Sequence, residues 1–272
     1  MGGEGGSMGF AWLTGRRSLT VMLAVVLVTV SQPCCCDVAA GEAGPTLRMA
    51  TEEWPPFRIN DPQGESGFRG IDIEVVAALE ERLGVKIHIE RHPWARALEM
   101  MRSGQVDLLS GVARTAERER FMHYVGTSYW AVRPRFYAAK GRGGEILFYE
   151  HLRGKSIGYS LHSAYFEPFD SDAGLDKKGL SAEAQLLQAL ALKRLDLIIG
   201  TEPNLSYDIA RLGLGSAVEP TAYQPERQTD LFFAFSRKSP HLDLAGRIEE
   251  VLAGLVKEGV VRGIVARYTG EP

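Results

Sequence analysis

The side chain best suited to hold a small anion is Arg118, in the run Arg114-Thr115-Ala116-Glu117-Arg118 that follows an apolar stretch over residues 106–112. Thr115 is a favoured helix N-cap, so the run predicts a helix with Arg118 in its first turn. A cation is poorly placed at that end of a helix dipole, and something else must hold it there. A planar guanidinium beside free backbone N–H groups makes a cradle for a carboxylate. Trp54 and Phe57 flank the stiff pair Pro55-Pro56. A tryptophan on such a turn can wall a pocket against the apolar or cationic part of a solute. Glu52 and Glu53 add negative charge beside it, and Trp94 and Arg96 open the segment Pro93-Trp94-Ala95-Arg96. Ser160, His162, Ser163 and Tyr165 follow one predicted strand; Thr201 and Glu202 follow another. Each of these has an ordinary structural use as well: Phe57 as core, the glutamates as solvated surface, Ser163 as a helix cap.

Metal and covalent chemistry find no spacing to support them. Of the six histidines at 88, 92, 123, 151, 162 and 241, only 88 and 92 are four apart, and their stretch reads as a strand and not as the helix that would put both on one face. All three cysteines are adjacent at Cys34, Cys35 and Cys36, which leaves the rest of the chain without a disulfide framework, zinc site or thiol nucleophile. There is no phosphate loop, no G-x-S-x-G elbow and no dinucleotide fingerprint. No catalytic residue, metal or cofactor is therefore expected. With 34 acidic against 31 basic residues and a formal charge of −3 in 272 residues, the chain is neither a nucleic-acid coat nor a polybasic membrane binder.

The elements that must position these groups alternate between strand and helix. Residues 47–51 predict a strand that Pro55-Pro56 ends. Asp72 opens a helix with Val75, Val76, Leu79 and Leu83 on its apolar face, stopped at Gly84. Residues 85–89 alternate like a half-buried strand, Pro93 starts a helix ending at Gly104, and 106–112 is a buried strand. A second round follows Gly141-Arg142-Gly143-Gly144. It has a strand over 156–160, a short helix over 163–169, a helix capped by Ser181, a strand over 195–199 and a helix with Pro203 in its first turn. A strand over 231–236 and helices over 240–257 and 260–268 close the chain. Such alternation requires a parallel or mixed sheet with helices on both faces. Residues 96–109 and 185–198 echo each other as apolar helix, polar turn and apolar-Asp-apolar strand, which suggests two lobes of similar build. The glycine-rich break at 141–144 and the polar stretch at 223–230 are the expected crossings between them, with the last helices returning to the first lobe.

Ahead of all this, Arg16-Arg17, the apolar run 19–30, and Pro33 followed by Val38-Ala39-Ala40 have the form of a secretory signal peptide over residues 1–40. The run is shorter than the roughly 20 residues of a comfortable membrane span. The alternative is an uncleaved anchor.

Taken together, Ala50-Thr51-Glu52-Glu53-Trp54-Pro55-Pro56-Phe57, Gly70-Ile71-Asp72-Ile73-Glu74-Val75, Trp94-Ala95-Arg96-Ala97-Leu98, Ser103-Gly104-Gln105-Val106-Asp107-Leu108 and Thr115-Ala116-Glu117-Arg118 resemble the family-3 extracellular solute-binding proteins, the amino-acid receptors of ABC importers. The likeness runs from about residue 46 to 270. It implies an α/β fold of two lobes, each a mixed sheet flanked by helices, joined by two crossing strands: residues 45–135 and 231–272 in one lobe and 136–230 in the other. It also implies a monomer in the periplasm that closes on a small carboxylate-bearing solute and hands it to a membrane permease, with no nucleic-acid partner. By that likeness Arg118 grips the carboxylate, Trp54 stacks on the solute, and the turn Leu161-His162-Ser163 adds hydrogen bonds from the second lobe. Glu52, Phe57, Arg96, Ser110, Thr201 and Glu202 complete the expected lining. Two departures stand out. Thr201 occupies the place where the family presents an aspartate to an α-amino group, and Ser110-Gly111-Val112-Ala113 keeps one hydroxyl of the usual carboxylate site. Both point away from an ordinary amino-acid zwitterion. The other outcomes open at this level are a dehydratase-like enzyme on the same scaffold, with Glu202 or His162 as general acid, and a periplasmic sensor partner.

Overall fold

A computed structural model describes residues 44–270; the predicted signal peptide, and with it the cysteines, lies outside them. Strand β1 (Thr46–Thr51) runs parallel to both β4 (Lys86–Arg91) and β5 (Leu108–Val112), with β2 (Ile59–Asn60) and β3 (Phe68–Arg69) forming a small hairpin between β1 and the first helix. Helix α1 (Ile71–Leu83) follows, then β4, then α2 (Trp94–Ser103) and β5. Both helices end on glycine in the left-handed region, Gly84 at φ 66° and Gly104 at φ 81°, where a side chain would be strained. The period-2 pattern divides the strands between two cores. Leu47, Met49, Leu108, Phe233 and Phe235 pack under α1, whereas Ala50, Leu109 and Ala234 face α2.

After the short β6 (Met122–Tyr124) the chain enters β7 (Trp130–Ala139), which the sequence pattern does not predict. Pro134 interrupts it and Arg133 and Arg135 alternate with apolar residues, so it lacks the unbroken β-branched run of a central strand. β7 changes partner midway: Trp130–Val132 pair with β12 (Thr229–Ser236), and Arg133–Ala138 with β10 (Leu197–Glu202), both antiparallel. The other end of β12 pairs with β5 and β6. These two strands, not the glycine-rich stretch at 141–144, carry the chain between the halves. Residues 141–144 form a turn beyond β7, with Gly141 at φ 83° and the Gly143 N–H donating to Glu219 Oε1 at 2.7 Å.

The second half places β8 (Ser156–Ser160) parallel to β10 and to the charged edge strand β9 (Asp176–Leu180). Helices α3 (Glu183–Ala191) and α4 (Asn204–Arg211) cover one face, and β11 (Val218–Pro220) extends β7. The helix expected over 163–169 is a series of turns, with Tyr165 and Phe169 buried beside Phe136. Ser181 does not cap α3: Ala182 holds the N-cap position, and the Ser181 hydroxyl donates to Gln185 Oε1. The closing helices are α5 (Ala245–Lys257), begun five residues later than expected behind a 3-10 turn, and α6 (Val260–Thr269); both pack on α1. No helix among the described residues is long and apolar enough to cross a membrane.

Candidate functional site

Parallel strands in both halves end at one gap, the place where open α/β sheets receive ligands. The carboxyl ends of β1 and β5 face those of β8 and β10 across a cavity of about 320 Å³. Its walls also take Trp94 from the start of α2, Glu183 from the start of α3, and Asp208 and Arg211 from α4.

Arg118 stands in this wall at 6% exposure. The helix expected to carry it is absent: residues 118–120 form a single 3-10 turn, and Thr115 Oγ1 accepts from the Arg118 N–H at 3.3 Å. Such a turn is too short to aim a dipole at the cavity, so the guanidinium itself is the positive feature. Its Nη1 donates to the Ala113 carbonyl at 2.9 Å and its Nη2 to the His162 carbonyl at 2.7 Å, while Trp94 lies 5.4 Å from its centre. Arg118 forms no ion pair among the described residues, and burial acts on it against the charged form. Carbonyl oxygens and one indole face thus hold a desolvated cation, an arrangement that an anion would complete.

His162 contributes its backbone, not its ring. At φ 63° it turns its carbonyl toward the other half of the molecule, where Trp94 Nε1 also donates to it at 3.2 Å. Ser163 and Thr201 line the cavity, but the Thr201 hydroxyl donates to Asn204 Oδ1 at 3.0 Å, and Asn204 Nδ2 donates to the Pro55 carbonyl at 2.7 Å. Glu52 lines it too, with Oε2 accepting the Trp94 N–H at 2.9 Å. That carboxylate serves an α2 terminus that has no acidic residue in its first turn and no side-chain cap. Trp54 also lines the cavity.

Four expected contacts are placed elsewhere. Phe57 is fully buried and stacks behind Trp54, ring centres 4.6 Å apart, so it backs the wall. Arg96 is exposed and donates to Gln105; two residues beyond Trp94 on a helix puts it about 200° around the axis. Ser110 is buried below the floor, its hydroxyl donating to Asp72 Oδ2 at 2.8 Å. Glu202 faces away because side chains alternate along β10, and it accepts from the Tyr137 hydroxyl at 2.6 Å.

The floor is a group that sequence reasoning overlooks. Arg58, at 3% exposure, donates to Asp72 Oδ2 at 2.5 Å and to the Glu52 carbonyl at 3.1 Å, and it lies under Trp54 at 4.9 Å. Asp72 is fully buried and also accepts from the Tyr129 hydroxyl at 2.6 Å. Gly111 roofs this pair at φ 68°, where an added Cβ would come 2.7 Å from Arg58 Nη1. Also overlooked are Glu183, Asp208 and Arg211. Asp208 pairs with Arg211 at 2.9 Å, whereas Glu183 pairs with no cation among the described residues. Burial raises the carboxyl pKa of Glu52, Asp208 and Glu183 alike, and Glu183 is pushed up to about 8, chiefly by desolvation and then by Asp208 and Glu52. The signal that could have found it is positional: an acidic residue in the first turn of a helix that starts at the same sheet edge as Ser160 and Thr201. Among the described residues no group of three metal-ligating side chains is present.

Comparison with known proteins agrees with this architecture. The family model for bacterial extracellular solute-binding proteins, family 3, matches residues 47–271. The chain is 23% identical over 264 residues to the L-cystine-binding protein TcyJ of Escherichia coli (strain K12), covering 94% of this chain and 96% of that one. It is 23% identical over 228 residues to the probable amino-acid-binding protein YxeM of Bacillus subtilis (strain 168), covering 82% and 83%. A histidine kinase sensor domain with similarity to periplasmic binding proteins shares the fold at a TM-score of 0.73 and 22% identity, covering 85% of this chain and 99% of that one.

Proposed function

Because the chain belongs to the family-3 bacterial extracellular solute-binding proteins, we propose that it is the exported receptor of an ABC importer and that it captures a small carboxylate-bearing solute between its two lobes. Membership makes it a binding protein and not an enzyme, as the names of its relatives accord. The observation that carries the carboxylate is Arg118: a buried cation in the cavity wall, held by carbonyls and lacking a carboxylate partner among the described residues. A charge kept out of water in this way favours an anionic guest over water or a neutral one. Residues of both halves line the cavity, so a solute that touches both favours the closed arrangement by its differential contacts. The signal peptide is the reading of residues 1–40, and the permease and a monomeric state are what the family resemblance implies.

The test is a thermal-shift screen of amino acids, keto acids, dipeptides and polyamines, since binding stabilises by mass action. L-Cystine belongs in the panel because a relative is named for it. A carboxylate-bearing compound is expected to raise the melting temperature, and Arg118→Ala to weaken its binding by about 30-fold or more in calorimetry. Stabilisation by polyamines alone, or unchanged affinity in Arg118→Ala, would remove the carboxylate from the proposal.

A further inference from the structure

A second cavity lies behind the first. Side chains alternate along a strand, and on β7 and β10 they divide between two spaces. Val132 and Thr201 line the cavity already described, whereas Ala131, Arg133, Arg135 and Glu202 line another of about 800 Å³. The front and rear cavities thus share these strands as a partition. The sides of the rear one belong to different halves: Val265 and Tyr268 come from α6, which packs on α1, and Pro203 and Tyr207 from the start of α4. Arg133 sits where β7 changes partner from β12 to β10; it is exposed and forms no ion pair among the described residues. Arg135 lies on the same side of the strand, roughly 7 Å along it. Its contact with Glu202 is loose, Nε to Oε1 at 3.9 Å. That carboxylate is already engaged, Oε1 accepting from the Tyr137 hydroxyl at 2.6 Å and Oε2 from the Ser206 N–H at 3.4 Å. Two guanidiniums against one committed carboxylate leave the wall positive, and the rings of Trp130, Tyr207 and Tyr268 beside them suit a flat apolar body.

From this arrangement we infer that the rear cavity is a second ligand site, taking a small aromatic anion whose charged group meets Arg133 and Arg135, and that its occupation favours the closed arrangement of the halves. The second clause rests on the receptor proposal; the first stands without it. Rotation about the crossing strands narrows one of two cavities on their opposite faces as it widens the other. In this structure the halves touch across the front cavity at the His162 carbonyl, which accepts from Arg118 and Trp94, and the rear cavity is the larger. Opening the front brings α6 toward α4 and squeezes the rear. A guest held there therefore binds the closed form better and shifts the population toward it. By reciprocity, a solute in front raises affinity at the rear.

The test titrates isotope-labelled protein at pH 7 with 2-naphthoate, 2-naphthamide and 2-naphthylmethylammonium, following the indole N–H signals of Trp54, Trp94 and Trp130 by NMR. The carboxylate is expected to shift the Trp130 signal and to bind about tenfold or more tighter than the amide or the ammonium. Arg133→Glu combined with Arg135→Gln should reverse that order in favour of the ammonium, a result that loss of folding does not produce. Saturating 2-naphthoate should also slow solvent exchange of the Trp94 indole proton, which donates across the front gap, by about threefold or more, and the slowing should vanish in the double variant. Equal binding of the three compounds, an unmoved Trp130 signal, or an order unchanged in the double variant would overturn the rear site. Exchange at Trp94 that is unaltered or faster, or slowing that persists in the double variant, would overturn the coupling to closure. The carboxylate assigned to Arg118 is tested separately by the thermal-shift screen, so failure here leaves it standing.

Discussion

Arg118 and Glu183 illustrate how burial makes a side chain informative. In water either would be one more surface charge; here desolvation is the largest influence on both, and it acts against the ionised form of each. For Glu183 the consequence can be read without a ligand. An acid with a folded-state pKa of about 8 and an ordinary value of 4.5 takes up a proton on folding between those two pH values. Its contribution to stability is therefore present below pH 4.5, falls as pH rises through the window, and is level above about 8. Glu183→Gln removes that slope. Thermal unfolding of the ligand-free proteins should show the variant gaining on wild type from pH 4.5 to 8 and holding a constant advantage beyond it. A gap independent of pH would mean that Glu183 is solvated like any surface glutamate. Residues of this kind are hard to see in a sequence. Trp54 and Arg118 were legible because aromatic and guanidinium groups sit beside turn signals, whereas nothing in Ser181-Ala182-Glu183-Ala184 says which way the carboxylate points.

At the scale of elements, the echo between the two halves has a structural counterpart. Asp107, ahead of β5, accepts the Arg48 N–H of β1 at 2.8 Å; Asp196, ahead of β10, accepts the Ser156 N–H of β8 at 2.9 Å. Each ties the start of one parallel strand to its neighbour, so the repeated apolar-Asp-apolar pattern is sheet architecture and not chemistry. Glycine punctuation was equally legible at Gly84 and Gly104. Gly70 is more demanding: it sits at φ 128° before α1, and a Cβ there would meet the Phe57 carbonyl oxygen at 2.5 Å. Since α1 delivers Asp72 to the buried Arg58, Gly70→Ala should cost about 1–3 kcal/mol in urea unfolding. An unchanged midpoint would show that the junction can shift freely. The strand β7 was not legible, because Pro134 and two arginines hide a run whose burial comes from β10 and β12 on either side.

For the whole molecule, the question is what holds the halves together before a solute arrives. The His162 carbonyl receives Arg118 and Trp94, and Asn204, fully buried, reaches the Pro55 carbonyl at 2.7 Å. The latter bond does not involve Arg118 and can be cut without touching it. Asn204→Ala leaves two buried polar groups unmatched and should lower stability by about 1–3 kcal/mol. It should also enlarge the radius of gyration of the ligand-free protein in small-angle scattering. A scattering curve identical to wild type would assign the closed arrangement to other contacts. Alternating strands and helices, a repeated helix-turn-strand pattern, a family resemblance and the arginine of the cavity wall are all legible in the amino-acid sequence, because periodicity, capping and turn chemistry act over a few residues. Tertiary structure alone decides that Ser110, Phe57, Arg96 and Glu202 turn away from the cavity and that Glu183 turns into it. A side chain's direction depends on the register between strands far apart in the chain, and its charge state depends on the neighbours that register brings.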